Sequence, residues 1–399
     1  MASYADMPLH YGHVPPWLAK RMSLLGGAIV EAVATDYGKG EVIRRLSDPC
    51  WFQSLGCVLG MDWHSSGITT SVMGALKKAV NPRSRELGIY ICGGKGRYSR
   101  ETPAELMAIA AKTGLPGEQL VRSSKLTAKV DNTAIQDGFQ LYLHSFIVSD
   151  EGEWAVVQQG MNDASSMARR YHWHSSAFDS YTESPHTFIY GRSQGLILNL
   201  TDKDALPTQG GILQLLNEKP AHLLPEIRNI IMPTHHDVRA ENVNLKRLGS
   251  VLALAHDTRP ASFESFLMLE GVGPRTLQSL TLVSEVIHGT PSRFEDPARF
   301  SFAHGGKDGH PFPVPVNTYD ETIHTLRDAL EKAKVGMSEK REAIRRLTQL
   351  AQDIEKDFVP NTNFDKVVAQ ERRNSWQYGG RIVFGKATKP KDGEQLTLF

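Results

Sequence analysis

Phe139-Gln-Leu-Tyr-Leu-His-Ser-Phe-Ile-Val-Ser-Asp-Glu-Gly-Glu-Trp-Ala-Val-Val-Gln-Gln159 reads as two β-strands, Phe139 to Val148 and Trp154 to Gln159, joined by a turn at Asp150-Glu151-Gly152. A short polar connection containing glycine commonly closes a β-hairpin. Working outward, Leu87 to Cys92 is a short buried strand by its β-branched content, and the apolar run Trp51 to Leu59 also reads as a strand. A further strand pair is expected at Thr187 to Tyr190 and Gly195 to Leu200. Helices are expected from Trp17 to Ala34, after Pro15-Pro16, and from the Ser65-Ser66 cap to Val80. Thr102-Pro-Ala-Glu-Leu carries a capping signature, with proline at the first helical position and Glu105 placed to reach back to Thr102. Residues 1–205 therefore predict an α/β or α+β domain, the expected catalytic unit.

From Thr208 the pattern turns helical, with segments at Gly210 to Glu218, Ala221 to Ile231 and Ala240 to His256. Phe266-Leu-Met-Leu-Glu-Gly-Val-Gly-Pro-Arg-Thr-Leu-Gln-Ser-Leu280 then resembles a helix-hairpin-helix motif. Glycine at 271 and 273 permits a tight turn around Val272, and Pro274 suits the first position of a new helix. Leu277, Leu280, Leu282, Val283 and Val286 supply its apolar stripe. The hairpin N–H groups of Gly271, Gly273 and Thr276 and the charge of Arg275 can hold a DNA phosphate, which positions a protein without reading sequence. Pro291 to Val316 is rich in proline and glycine and reads as irregular. Thr318 to Val335 and Ser338 to Phe358 are charged amphipathic helices suited to an antiparallel pair. The expected organisation is thus a helical DNA-binding domain over 206–316, a helical pair over 317–360 and a basic extension over 361–399.

That extension ends in Gln395, Leu396, Thr397, Leu398 and Phe399. These residues resemble the peptide by which bacterial DNA polymerases and repair proteins dock on the sliding clamp. Leu398 and Phe399 would fill an apolar pocket, with Gln395 at its rim. Thr397 stands where the motif usually has Ser or Asp. Charges nearly cancel over 399 residues, 45 Lys and Arg against 44 Asp and Glu, so any nucleic-acid surface must be local. Cys50, Cys57 and Cys92 are too few and unpatterned for a disulfide framework or a four-thiolate metal site. No stretch approaches membrane-span length, and no secretory leader pattern opens the chain. A soluble protein of the cytoplasm, associated with the nucleoid, is expected.

Several segments carry a wider resemblance: Gly60-Met-Asp-Trp-His-Ser-Ser-Gly, Cys92-Gly-Gly-Lys-Gly, Val130-Asp-Asn-Thr-Ala-Ile-Gln-Asp-Gly-Phe-Gln-Leu-Tyr, Trp154-Ala-Val-Val-Gln-Gln-Gly-Met-Asn and Phe300-Ser-Phe-Ala-His-Gly-Gly-Lys-Asp-Gly-His-Pro. Together they look like the prokaryotic family known as domain of unknown function 763. The resemblance implies no established activity, so chemistry has to be argued from the residues.

Oxygen ligands combined with one or two imidazoles suit Mg²⁺ or Mn²⁺, which can activate water for phosphodiester cleavage. The candidate ligands are Asp62, His64, Asp137, Glu153, His235, His236 and Asp237. Asp137, Glu153 and Gln159 on a strand hairpin faintly resemble a restriction-type nuclease core; the usual Glu-x-Lys is absent, so Lys95 or Lys307 would have to stabilise the leaving phosphate. Against this, His144, His172 and His174 also fit half-buried structural positions, and Glu151 and Glu153 fit a solvated turn. Three classes follow: a metal-dependent DNA nuclease tethered to the clamp, a helix-hairpin-helix DNA glycosylase using Asp296, and a non-enzymatic clamp-linked DNA adaptor.

Overall fold

A computed structural model describes residues 7, 9, 14–61, 66–221, 223, 245–290, 292–298, 316–333, 336, 338, 340–346, 381–382 and 385–386. The organising element is a five-stranded antiparallel sheet: β1 Ile89–Lys95, β3 Gln140–Ser149, β4 Trp154–Asn162, β5 Met167–His174 and β6 Phe188–Tyr190, adjacent in that order. The hairpin read from the sequence is its centre, with Val148 opposite Trp154 and His144 opposite Gln158. Two short strands, β2 Ile135–Gln136 and β7 Leu198–Asn199, pair separately.

Alternation along the strands gives the sheet two buried faces. Ile89, Ile91, Ile147, Ala155 and Val157 point into a core formed with α1 Pro16–Tyr37, α2 Lys39–Ser47, α3 Pro49–Val58 and α4 Gly67–Val80. A short helix, α5 Ser84–Leu87, leads from this layer into β1. Cys92, Phe146, Val156 and Trp173 point the other way. They meet α6 Thr102–Thr113, α7 Gly117–Lys129, α8 Leu206–Asn217, α9 Leu245–Thr258, α10 Phe263–Leu267 and α11 Pro274–His288. The second core is continuous from sheet residues to Phe266, Leu277 and Leu280 of the helical half. A further helix, α12 Val316–Lys332, adds Leu326, Ala329 and Leu330 to the first core. The described chain is therefore a mixed α and β fold with an antiparallel sheet between helical layers. Among the described residues no helix is long and apolar enough to cross a membrane.

Three local expectations change. Trp51 to Leu59 is not a strand but lies in α3 and the residue after it: Asp48 accepts from Trp51 N at 2.9 Å, Pro49 opens the helix, and Trp51, Phe52, Leu55 and Val58 are buried at helical spacing. The run is apolar on several sides because it is deeply packed, which erases the period that separates helix from strand. Thr102 and Glu105 form no capping box. The chain enters α6 from a 3₁₀ turn, Gly96–Glu101, so Thr102 is already helical, and Glu105 instead accepts from Gly93 N at 2.6 Å and pairs with Lys77 at 2.6 Å. Finally, Phe188–Tyr190 and Leu198–Asn199 do not pair with each other: the first extends the sheet beside β5 and the second pairs with β2. The helix expected up to Val80 is present as α4, although Ser66 makes no side-chain capping bond.

Candidate nucleic-acid interface and the polar sites of the sheet

The hairpin is built from both sides. Ser262 caps α10 by accepting from Ser265 N at 3.2 Å, and buried Phe263, Phe266 and Leu267 fix that helix against the core. Gly271 has φ +84, a conformation that favours glycine, and Gly273 is extended ahead of Pro274. Val272 turns its side chain into the core, and buried Thr276 directs its hydroxyl back to Gly271 O at 3.4 Å. The turn is also held from behind: Lys129 Nζ donates to Val272 O at 2.7 Å, and Gln136 Nε2 to Pro274 O at 2.9 Å. The backbone N–H groups of Gly273 and Arg275 have no acceptor among the described residues, and exposed Arg275 has no carboxylate partner there. Unsatisfied donors at the start of a fifteen-residue helix present positive charge outward.

The acidic candidates are placed apart. Asp137 lies just before β3 and Glu153 just before β4, hence at opposite ends of this hairpin. Buried Asp137 accepts from Arg169 Nη1 at 2.7 Å, Tyr171 OH at 2.7 Å and Phe139 N at 3.0 Å. Burial pushes its carboxyl up, opposed by Arg169. Asp296 takes the other side of the same guanidinium, at 2.6 and 3.0 Å, and also accepts from Gln194 N and Ala298 N. Arg169 loses from burial and gains more from Asp137 and Asp296, so it is held firmly cationic. Glu153 lies 3.1 Å from His174 Nε2. Gln159, on the sheet face opposite Asp137, donates to Tyr142 OH at 2.5 Å and Ser66 O at 3.0 Å, while Lys95 Nζ sits 5.7 Å from the Tyr142 ring centre. The structure thus gathers Lys95 and Gln159 around Tyr142 but brings neither Asp137 nor Glu153 to them. Among the described residues no group of three His, Cys, Asp or Glu could hold a metal ion. Asp62, His64, His235, His236, Asp237, Lys307 and the peptide residues Gln395, Leu396, Leu398 and Phe399 lie outside the described residues.

Sequence reasoning missed how other polar residues connect. Gln158 Nε2 donates to Asp131 Oδ2 at 2.5 Å, so its Oε1 faces His144 Nδ1 at 2.9 Å. That orientation puts the His144 proton on Nδ1 and leaves Nε2 to accept from Ser124 Oγ at 2.8 Å. Asp131 also accepts from Trp173 Nε1 at 3.0 Å and faces His186 Nε2 at 2.5 Å. Burial lowers His144 to about 4, against the raising effect of Gln158. The order Ser124, His144, Gln158, Asp131 resembles a hydrogen-bond relay, but its members are buried and it serves as the polar brace of the second core. Opposite it, Arg170 is buried among Gln53, Thr69, His172 and the rings of Phe52 and Tyr190, and burial lowers it to about 10. Alternation along Met167-Ala-Arg-Arg-Tyr-His-Trp-His was the available signal for this strand, masked by its charges.

With the fold and these sites established, comparison supplies kinship. A family model described as "Protein of unknown function (DUF763)" matches residues 3–314, and the chain belongs to that family. No curated protein and no solved structure matches it.

Proposed function

We propose that this chain is a DNA-binding protein that grips the phosphate backbone through the hairpin of Gly271, Gly273 and Arg275, independently of base sequence. The observation that carries the reading is the pre-built turn: N–H groups at Gly273 and Arg275 with no acceptor, and an exposed Arg275 with no carboxylate partner, among the described residues, anchored from behind by Lys129 and Gln136. Val272 and Thr276 shape the turn from within. The Gln395, Leu396, Leu398 and Phe399 peptide would tether the protein to a bacterial sliding clamp, which gives the reading a place in DNA repair.

Fluorescence anisotropy with duplexes of unrelated sequence tests the grip. Arg275→Gln should weaken all of them equally and reduce the salt slope by about 0.9, the value for one phosphate contact on duplex DNA. Gly271→Val should weaken binding further; because it also strains the turn, Arg275→Gln is the decisive variant. Unchanged affinity and slope in Arg275→Gln would remove the hairpin from the interface. For metal-dependent strand cleavage the candidates that remain to be tested are those outside the described residues: Asp62, His64, His235, His236 and Asp237. End-labelled DNA incubated with Mg²⁺, Mn²⁺ or EDTA reads that chemistry directly. Scission abolished by EDTA and by His235→Ala assigns it to this set, whereas intact DNA leaves a backbone-binding adaptor.

A further inference from the structure

A second surface lies where β1 runs out into Gly93-Gly94-Lys95-Gly96-Arg97-Tyr98-Ser99-Arg100. Its backbone is fixed from below. Lys77 Nζ donates to Gly93 O at 2.8 Å, Glu105 accepts from Gly93 N at 2.6 Å, and these two side chains pair with each other at 2.6 Å. Ser99 Oγ donates to Gly96 O at 2.6 Å, and Thr102 Oγ1 donates to Ser99 O at 2.9 Å. Gly93, at φ +78, could not carry a side chain, because a Cβ there would run into the His144 carbonyl.

This rigid turn presents a ring and cations to solvent. Tyr98 is 47% exposed, and Lys95, Arg97 and Arg100 are exposed beside it. Arg97 lies 5.0 Å from the Tyr98 ring centre and donates to its hydroxyl at 3.3 Å, while Lys95 lies near the Tyr142 ring. None of the three cations pairs with a carboxylate among the described residues, and the acid on the turn, Glu101, is itself exposed. Aromatic faces set among unpaired cations suit unpaired bases and their phosphates. A duplex keeps its base faces stacked away, and an acidic peptide would leave the ring unused.

The turn and the hairpin share one end of the sheet. Lys95 lies opposite Leu143 at the start of β3, Leu141 N bonds Asn132 Oδ1, and Gln136 in the same segment holds Pro274 of the hairpin. We propose that the Gly94–Arg100 turn binds single-stranded DNA, with a base stacked on Tyr98 and flanking phosphates held by Lys95, Arg97 and Arg100. The strand bound there would adjoin the duplex gripped at the hairpin. The proposal rests on the DNA-binding reading above, and its test separates the two.

The full chain is titrated with a 2-aminopurine-labelled single strand and, separately, with plain duplex. Tyr98→Ala should weaken single-strand binding roughly 5- to 150-fold and abolish the stacking-induced fluorescence change, whereas Tyr98→Trp should keep both. Arg97→Gln with Arg100→Gln should lower the single-strand salt slope by about 1.4, and duplex binding should depend on Arg275 instead. Unaltered single-strand affinity in Tyr98→Ala would overturn the proposal while leaving the hairpin reading intact. An equal loss on both DNA forms would also overturn it, since stacking would then not discriminate. Absence of DNA binding by the unmodified chain would overturn both.

Discussion

Arg169 can be replaced by Met, which keeps much of its volume and removes its charge. The side chain is fully buried between Asp137 and Asp296, themselves buried, and its guanidinium also covers the Phe139 ring at 4.7 Å. Breaking one buried pair by removing a partner costs about 3–5 kcal/mol, because the remaining charge stays desolvated. Here two carboxylates are stranded by one substitution, so Arg169→Met should lie at the upper end of that range. Urea unfolding followed by tryptophan fluorescence measures it. The pH dependence provides an internal check. Burial already raises Asp137, and loss of Arg169 removes the main opposing charge, so its folded carboxyl rises further above the unfolded value. Between those two values the folded state binds a proton that the unfolded state does not, and stability increases as pH falls. The deficit of Arg169→Met relative to the unmodified chain should therefore shrink as pH falls through the raised titration of Asp137 in the variant, by at most about 1.4 kcal/mol per pH unit. A variant as stable as the parent, or a deficit that grows on acidification, would refute the assignment of both acids to a structural charge cluster.

His144 makes the opposite prediction. It is held neutral in the fold at about 4 and binds a proton in the unfolded chain near 6.5, so stability falls as pH drops between those values. By about pH 5 this residue alone should withdraw roughly 2 kcal/mol, and His144→Gln should show a correspondingly shallower pH dependence of unfolding. Burial also depresses His172, so a residual slope in the same direction should survive. Gly271→Ala should cost about 1–2 kcal/mol in urea unfolding for its left-handed backbone, with the new Cβ only 3.1 Å from Val251; no loss would mean that the hairpin is not held in this form. Deleting residues 395–399 should abolish binding to a purified bacterial clamp while leaving duplex affinity unchanged, and retained clamp binding would discard the peptide.

The central hairpin was legible because its apolar strands are interrupted at Asp150-Glu151-Gly152, a local signal that the fold preserves. Helix α3 was not, since Trp51, Phe52, Leu55 and Val58 sit in a run so apolar that periodicity is lost. Strand β5 was hidden for the converse reason: consecutive arginines look like surface, yet each is buried by partners from elsewhere in the chain. Gln53 meets Arg170 across 117 positions, and Asp296 meets Arg169 across 127. Local sequence cannot supply that information.

The same distance in sequence governs how the acidic candidates should be weighed. An Asp in a turn reads as a metal ligand or catalytic base only while its charge is unassigned. Arg169 assigns two at once: Asp137, the centre of the nuclease expectation, and Asp296, the centre of the glycosylase expectation. Both carboxylates are spent on neutralising one buried cation, and hydrogen bonds from Phe139 N, Gln194 N and Ala298 N satisfy much of what remains. To act on DNA either would first have to abandon Arg169 in a desolvated site, at the several-kcal/mol cost that Arg169→Met is designed to measure. The hairpin faces no such conflict. Among the described residues the N–H groups of Gly273 and Arg275 have no acceptor, so binding a phosphate there breaks no contact that those residues make, and that asymmetry is the physical ground for proposing a DNA contact at Gly273 and Arg275.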